Sequence, residues 1–457
     1  MAVKEAVLER IEYRLALVRP DSRMVLALET IGAYRLPCVR IPQWTRPAEQ
    51  LRKAIESLWG LHVLVLDLLP AHDGSPFCAV AELLIPDAHS GLKAVPLDKI
   101  ASSEFSEQQR AHLVSLLSGD TETPFTQIGW IDEAIAWIVS ATQRKLSSKS
   151  DIEQLNAGGA FSLIRFHTED GWDYWLKATG DPNAHEFSIT HLLSKLGGAY
   201  LPTIISSRPA WNAWLMSGEA SRVTELPADP FQLFRLLEDA VGSMAELQMK
   251  TEGRSVDLLD AGAFDQGIDV FQTHSEALFD YLEEAMSLQT STALLRLEKQ
   301  RLLEIRAIFQ DTCRRMEDLD LPDTILHGDM NYGNILTGCG HCQFIDWCEA
   351  YVGNPLITLQ HLLLFNRAEN PKLRASMNCA LKDKYKDVWL AMCDRAALDD
   401  GFVYMPLLAV ASSLYGRGDW FNTPERLDPR RQAYARNLTR HMDVAARAPE
   451  LLEALRS

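Results

Sequence analysis

Residues 325–336, with the sequence ILHGDMNYGNIL, place a short polar stretch between two apolar runs. A further apolar run, FIDW at 344–347, follows after a few residues. Short apolar runs bounded by glycine and asparagine are typical of buried strands joined by loops. The pattern therefore predicts a buried frame that carries Asp329, Asn334 and Asp346 on its loops and strand ends.

Phosphoryl transfer explains the order of these side chains. Asp329 and Asn334 are five positions apart, the spacing of a kinase catalytic loop in which a carboxylate accepts the proton of the acceptor hydroxyl and an amide oxygen holds magnesium. Asp346 could hold the other face of the metal, because magnesium prefers oxygen ligands. We therefore expect Asp329 to be the catalytic residue and Asn334 and Asp346 to be metal ligands.

Strand-like segments upstream supply residues that could hold a nucleotide. Gly158 and Gly159 would let the backbone approach phosphates, and Ser162 could donate a hydrogen bond to them. Lys177, at the end of the third strand, would reach the α- and β-phosphates, and Glu186 on the next helix would hold that lysine in an ion pair. Each signal is common by itself, since a glycine pair is usually a turn and a strand lysine is usually solvated. Their joint order favours phosphoryl transfer.

From about 153 to 350 the chain resembles the aminoglycoside phosphotransferase and choline kinase family, with HGDMNYGN and FIDW as the most specific matches. The resemblance implies an α+β, bilobal protein-kinase-like fold with a strand-rich N-lobe and a helical C-lobe. It implies ATP and Mg²⁺ as cofactors and transfer of the γ-phosphate to a small-molecule hydroxyl. It also implies that His327 supports the catalytic loop, and that Leu215 and Met216, in a hinge at 214–216, meet adenine.

The chain departs from the family in three places, one of which is the GEA sequence that follows the hinge in place of a recognisable signature. Family members often carry an acid near the GNP turn, where this chain has Thr358, and the interval between Lys177 and Glu186 is short. A protein kinase matches less well, because the chain runs from Trp347 to GNP within a few residues and shows no DFG or APE pair. We therefore expect a small acceptor, walled by helical segments at 230–316 and 355–457. The second segment is predicted to break at Pro371, Pro406 and Pro424.

The first 128 residues bear a fainter resemblance to a Nudix domain: a hairpin, a helix ending at Gly60, and a strand. If Gly60 closes the family's catalytic box, Lys53, Ala54, Ser57 and Leu58 stand where Arg and three Glu belong. We therefore expect a separate α/β Nudix-like domain without hydrolase chemistry, which binds, docks or mediates homo-oligomerisation. The predicted boundaries are a 1–128 accessory domain, a 129–152 linker helix and loop, a 153–222 N-lobe and a 223–457 C-lobe.

Charge and composition limit the partners. The 457-residue chain has a net charge of −17, and residues 219–290 hold 15 acidic against 4 basic side chains. This disfavours a nucleic-acid partner, which needs a basic footprint. The acidic block could favour a cationic acceptor, although solvated helix faces are the favoured interpretation. The eight dispersed cysteines, the short apolar runs and a charged N-terminus predict a cytoplasmic protein with reduced thiols and no membrane association.

Three alternatives stay open at this stage. Cys339, His341 and Cys342 could bind zinc, but a fourth ligand is missing, so a tight turn is favoured. A catalytically idle kinase fold could serve as a nucleotide-binding or scaffold protein, although the presence of all three catalytic-set residues argues against it. Nucleotide hydrolysis by the N-terminal domain would require activity in an isolated 1–128 fragment, which we do not expect.

Overall fold

The computed structural model describes residues 10–43, 46–71, 76–85, 91–121, 123–338, 340–418 and 424–456. The chain forms two compact units. Unit 1 contains Met1–Phe187 and Thr203–Glu219, and unit 2 contains Ser188–Pro202 and Ala220–Ser457. Each unit is built around its own core.

Unit 1 opens with a mixed sheet of seven strands in which β1 pairs with β2, β4 and β6. The predicted hairpin is confirmed, since Val18 lies opposite Val25 in antiparallel register. Helix α1 begins at Pro47, a favoured first position, and ends before Gly60 in the left-handed conformation. The elements are β1 Arg10–Val18, β2 Val25–Thr30, β3 Ala33–Arg35, β4 Cys38–Pro42, α1 Pro47–Trp59, β5 Val63–Leu69, β6 Phe77–Leu83, β7 Lys93–Val95, α2 Glu107–Ser118 and α3 Trp130–Thr142.

A second sheet, also in unit 1, contains five antiparallel strands in the order β11-β12-β10-β9-β8. The β8–β10 meander and the following helix were predicted at these positions, and the structure confirms them. The elements are β8 Glu153–Asn156, β9 Phe161–His167, β10 Asp173–Thr179, α4 Glu186–Gly197, β11 Ile204–Arg208 and β12 Ala213–Ser217. Helix α4 starts in unit 1 and continues into unit 2.

The two sheets of unit 1 share a hydrophobic core. Alternate residues of β1 point to opposite faces, so that Leu15 and Leu17 pack with α1 while Ala16 and Val18 belong to a second cluster. The second cluster also contains buried residues of α2, α3 and the five-stranded sheet: Leu113, Leu116, Ile131, Ile138, Ile164, Phe166 and Leu176. Residues from the predicted accessory domain and the predicted N-lobe are therefore buried together. The Nudix name stays a prediction.

Unit 2 is mainly helical and has two small three-stranded sheets, β13-β16-β17 and β14-β18-β15. Three of its long helices begin with a side-chain cap followed by proline; the Asp229 side chain, for example, accepts a hydrogen bond from Gln232 N just ahead of Pro230. The elements are β13 Ser221–Arg222, α5 Pro230–Thr251, α6 Ser255–Asp260, β14 Phe264–Gln266, α7 Ile268–Ser287, α8 Lys299–Glu317, β15 Thr324–His327, β16 Ile335–Thr337, β17 Gln343–Phe344, β18 Ala350–Gly353, α9 Leu356–Leu363, α10 Pro371–Trp389, α11 Arg395–Tyr415, α12 Pro429–Ala445 and α13 Pro449–Ala454.

Three local predictions were wrong. Helix α11 continues through Pro406, which was expected to break it. Strand β14 interrupts the segment 230–316, which was expected to be wholly helical. Helix α2 was missed, although Ser106 and Gln109 form a capping box that the sequence could have revealed.

Helix α11 is also the one described helix whose length and mean hydropathy would suit a membrane span. Most of it is buried inside the protein, as in the core helix of a soluble fold. It is therefore weak support for membrane insertion.

Candidate active site

His327 ends strand β15 and is fully buried. Its Nε2 donates to the carbonyl oxygen of Ile345 at 2.9 Å, and its backbone N–H donates to Thr358 Oγ1 at 3.2 Å. The His327 and Trp347 rings lie 4.6 Å apart between centroids. His327 thus joins β15, the FIDW segment and helix α9, which is the supporting position implied by the family resemblance.

Thr358, one of the three departures from the family pattern, is fully buried behind this loop. Its hydroxyl is the acceptor for the His327 backbone N–H. Thr358 therefore offers a neutral hydroxyl where family members often have an acid. This hydroxyl still binds the end of β15, directly before the catalytic loop.

Gly328 sets the direction in which the loop leaves β15. Its N–H donates to the Glu349 carbonyl at 2.7 Å. A Cβ at this position would lie 2.2 Å from Tyr351 Cε2 and 2.9 Å from the Glu349 oxygen. Only glycine fits here without a shift of the loop. This close packing fixes the backbone position of the next residue, Asp329.

Asp329 and Asn334 lie against each other, as the five-residue spacing predicted. The Asn334 amide nitrogen donates to the Asp329 carbonyl at 2.9 Å and to Asp329 Oδ2 at 3.3 Å. Because these bonds orient the amide nitrogen toward Asp329, the amide oxygen is the atom with which buried Asn334 could bind a cation.

The pKa of Asp329 is raised, chiefly because the surrounding protein partly desolvates this solvent-exposed side chain and disfavours its charged form. The positive potential of His327 and the hydrogen bonds from Asn331 and Asn334 act in the opposite direction, while the nearby charge of Asp346 adds to the increase. Asp346 is therefore close enough to Asp329 for their charges to interact.

Asp346 lies between β17 and a short turn of 3₁₀-helix, with φ at +70°. A non-glycine residue in this left-handed region is uncommon and is often found at functional sites. The preceding Ile345 N–H donates to the Asn334 carbonyl at 3.1 Å. That bond ties together the segments that carry the two predicted metal ligands.

Sequence reasoning missed two polar groups that hold this region. Arg417 Nη2 lies 2.8 Å from Glu349 Oε1 and also donates to the Cys348 carbonyl at 3.2 Å. Gln248, buried on α5, donates to the carbonyl oxygens of Ile325 and Pro355. Both lie about 70 residues or more from their partners along the chain, so the sequence alone offered no signal for either contact.

The predicted ion pair on the nucleotide side is confirmed in unit 1. Lys177 Nζ lies 2.6 Å from Glu186 Oε1, with side-chain exposures of 8% and 2%. The short interval between them suffices because β10 ends at Thr179 and α4 begins at Glu186. The ammonium also lies 5.7 Å from the Phe161 ring centroid and 6.0 Å from that of Trp214.

The glycine turn joins β8 and β9, and Gly158 takes a φ of +113° that favours glycine. Ser162, predicted to bond phosphate, instead donates its hydroxyl to the Asn156 carbonyl at 3.4 Å. Its predicted phosphate contact would require that hydroxyl to turn away from Asn156.

Leu215 and Met216 lie within β12, which pairs with β10 on one side and β11 on the other. Leu215 is fully buried in the core of unit 1. The chain passes from unit 1 to unit 2 after Glu219, and the hinge at 214–216 stays a prediction. Contact of Leu215 and Met216 with adenine stays a prediction.

The zinc alternative gains no support. Cys339 lies outside the described residues. His341 donates to the carbonyl of Ala199, and Cys342 is buried, with its backbone N–H bonded to Ser243 Oγ at 3.0 Å. Among the residues that the structure describes, no group of three His, Cys, Asp or Glu side chains could hold a metal ion.

Residues 151–389, just over half of the chain, match the phosphotransferase enzyme family. The chain belongs to this family. The matched region contains Lys177, Glu186, Asp329, Asn334 and Asp346, and the predicted resemblance is thereby confirmed. No curated protein matches the chain.

Solved structures of kinases and phosphotransferases are similar to the chain at low identity. A choline/ethanolamine kinase family protein from Mesorhizobium loti is 17% identical, with 71% of this chain and 98% of that chain covered and a TM-score of 0.43. A macrolide 2'-phosphotransferase from Brachybacterium faecium is 13% identical, with 70% and 97% covered and a TM-score of 0.42. Plasmodium vivax ethanolamine kinase is 13% identical, with 78% and 94% covered and a TM-score of 0.43. At these TM-scores the family assignment rests on the sequence match alone.

Proposed function

We propose that the protein is an ATP-dependent phosphotransferase that transfers the γ-phosphate to a hydroxyl of a small molecule. The observation that carries the proposal is the pairing of Asp329 with Asn334, in which the amide nitrogen orients the carboxylate and the amide oxygen can face a cation. Asp329 would orient the acceptor hydroxyl and accept its proton as the phosphoryl group is transferred.

The residues present fit a magnesium ion. Asn334 and Asp346 offer an amide and a carboxylate oxygen, which suit a hard cation that takes its other ligands from phosphates and water. The ion would neutralise charge on the transferred phosphate. The bond between the Ile345 N–H and the Asn334 carbonyl holds the two ligand segments together.

The residues proposed to bind the nucleotide belong to unit 1. Lys177 would contact the α- and β-phosphates, while the buried ion pair with Glu186 fixes the direction of its long side chain. Gly158 and Gly159 would bring backbone N–H groups close to phosphate oxygens. Leu215 and Met216 would lie near adenine.

The proposed acceptor is a small molecule that carries a hydroxyl group. The short interval after Asp346 leaves no room for a peptide-binding segment, which supports a small molecule. Each acidic side chain in residues 219–290 is exposed or half-buried, as on solvated helix faces. A cationic acceptor is therefore supported only by the overall charge of this block.

Substitution of Asp329 by Asn tests the proposal. ATP consumption is measured with magnesium over a panel of hydroxylated metabolites and antibiotics, with the phosphorylated product confirmed by mass. Asp329→Asn should lower turnover by about 100-fold or more while MgATP binding persists. Asp311→Asn, at an exposed ion pair on α8, is the matched control and should keep wild-type turnover.

An unchanged rate in Asp329→Asn would remove the proposed role of that residue. The second candidate, an idle kinase fold that binds nucleotide as a scaffold, predicts MgATP binding without phosphorylated product and without a slow ATPase activity. The intact Asp329–Asn334 pairing favours the enzyme.

A further inference from the structure

We propose that the N-terminal segment completes the nucleotide site, with Asp67 and Thr123 as positioning residues for the glycine turn at 158–159. The inference rests on the proposed function, because it assumes that this turn receives the phosphates of ATP. The N-terminal segment would then be part of the nucleotide-binding lobe and would not be a separate accessory domain.

The N-terminal segment places two polar side chains beside the turn. A Cβ placed on Gly158 would lie 3.3 Å from Asp67 Oδ1, and one placed on Gly159 would lie 3.6 Å from Thr123 Oγ1. These distances place the two side-chain oxygens beside the glycines, on the side where a side chain would project. Both glycines are half-buried, so the turn is partly enclosed by its surroundings.

The end of β10 contacts the turn from another direction. Gly180 N–H donates to the Ala160 carbonyl at 2.9 Å. A Cβ on Gly180 would lie 2.2 Å from the Gly159 oxygen and 3.5 Å from Phe125 Cζ. The turn is thus packed against the end of the strand that carries Lys177, and the buried Phe125 ring lies next to Gly180.

Asp67 and Thr123 are held firmly enough to act as supports. Asp67 Oδ1 accepts from Leu68 N–H at 2.8 Å, and Asp67 Oδ2 lies 2.8 Å from His112 Nε2. A register shift between Val65 and Asp67 marks a bulge, a feature that re-aims a side chain out of the regular strand. The Thr123 carbonyl accepts from both the backbone and the hydroxyl of Thr126.

Strand β8, which leads into the turn, is fixed to the same part of the N-terminal segment. The buried Gln154 side chain accepts from Val65 N–H at 2.8 Å and donates to the Val65 carbonyl at 2.7 Å. One side chain thereby satisfies both backbone groups of Val65, two residues before Asp67. The turn and its supports are therefore parts of one packed structure.

This support has a functional consequence, because a phosphate-binding turn must be held within a fraction of an ångström of its productive geometry. The negative charge of Asp67 allows a positioning role to be distinguished from an electrostatic one. Removal of the Asp67 carboxylate takes a negative charge away from the proposed phosphate site, so electrostatics alone would strengthen the binding of anionic nucleotide. Weaker binding after that change would report lost positioning.

The experiment measures the Kd for MgATP by calorimetry in full-length variants, together with their melting temperatures. Asp67→Ala and Thr123→Ala should each raise the Kd about fivefold, the size expected for one lost positioning contact. Asp67→Asn keeps the shape of the side chain and should bind MgATP as tightly as wild type or more tightly. Glu12→Ala, at an ion pair with Arg40 on the same sheet, is the control and should leave the Kd unchanged.

The possible failures are distinguishable. Wild-type protein that binds no MgATP would overturn the proposed function and this inference with it. Wild-type protein that binds MgATP, with Asp67→Ala and Thr123→Ala binding equally well, would overturn only the positioning role. If Asp67→Ala does not fold, Thr123→Ala decides the question, because that change is small: an unchanged Kd would overturn the positioning role.

Discussion

The buried ion pair between Lys177 and Glu186 allows a quantitative test of the nucleotide side of the site. Its charged atoms are 2.6 Å apart and its side chains are 8% and 2% exposed. Lys177→Met leaves the carboxylate buried without this lysine, and Glu186→Leu leaves the ammonium without this carboxylate. The double variant removes both charges and keeps much of the side-chain volume.

The expected energies follow from burial. Loss of one partner of a buried ion pair costs about 3–5 kcal/mol, whereas replacement of both partners by apolar residues of similar volume is close to neutral. We therefore expect each single variant to lose about 3 kcal/mol in its free energy of unfolding and the double variant to lose about 1 kcal/mol or less. The coupling energy from the double-mutant cycle should then be several kcal/mol.

Urea unfolding and MgATP calorimetry on the same four proteins separate stability from binding. The double variant should regain its fold but not its nucleotide affinity, because no ammonium is left to contact the phosphates. Lys149→Met, at an exposed ion pair with Asp132, is the control and should change stability by less than about 1 kcal/mol.

Two results would refute this reasoning. Strictly additive losses in the double variant would show that Lys177 and Glu186 are not coupled as a buried ion pair. A double variant with wild-type affinity for MgATP would show that Lys177 does not bind the phosphates.

Two further predictions concern Glu82 and Gly328. Burial raises the pKa of Glu82 from 4.5 to about 7, so its contribution to stability is present below pH 4.5 and is lost as the pH rises through 7. Urea unfolding across this range should show a fall of at most about 3 kcal/mol from this group, and Glu82→Gln should flatten the profile; an unaltered profile would contradict the assignment. Gly328→Ala should lower turnover by about 100-fold because its Cβ would clash with the Tyr351 ring and displace Asp329. Retention of full turnover by a folded Gly328→Ala protein would show that the loop can shift without cost.

The sequence predicted those parts of the structure that depend on local pattern. The strands around 153–179, helix α1 with its closing glycine, and the approach of Asn334 to Asp329 all follow from spacing of a few residues. The ion pair at Lys177 followed from the order of strand and helix.

Features that depend on distant packing could not be predicted in this way. The proximity of Asp67 to the turn at Gly158 joins positions 91 residues apart, and the ion pair of Arg417 with Glu349 joins positions 68 apart. Helix α11 passes through Pro406 because its buried faces hold it in place despite the missing backbone donor. Local propensity carries no information about such partners.

The shared core of unit 1 has a consequence for how the protein unfolds. Ala16 and Leu64 from the first sheet and Ile164 and Leu176 from the second lie in a single cluster, so opening either sheet exposes apolar surface of the other. The two sheets should therefore behave as one cooperative unit, with similar protection of their central amides against hydrogen exchange. In evolutionary terms, recombination could not freely exchange the first 128 residues for another domain. A replacement domain would have to supply apolar side chains that pack against the second sheet.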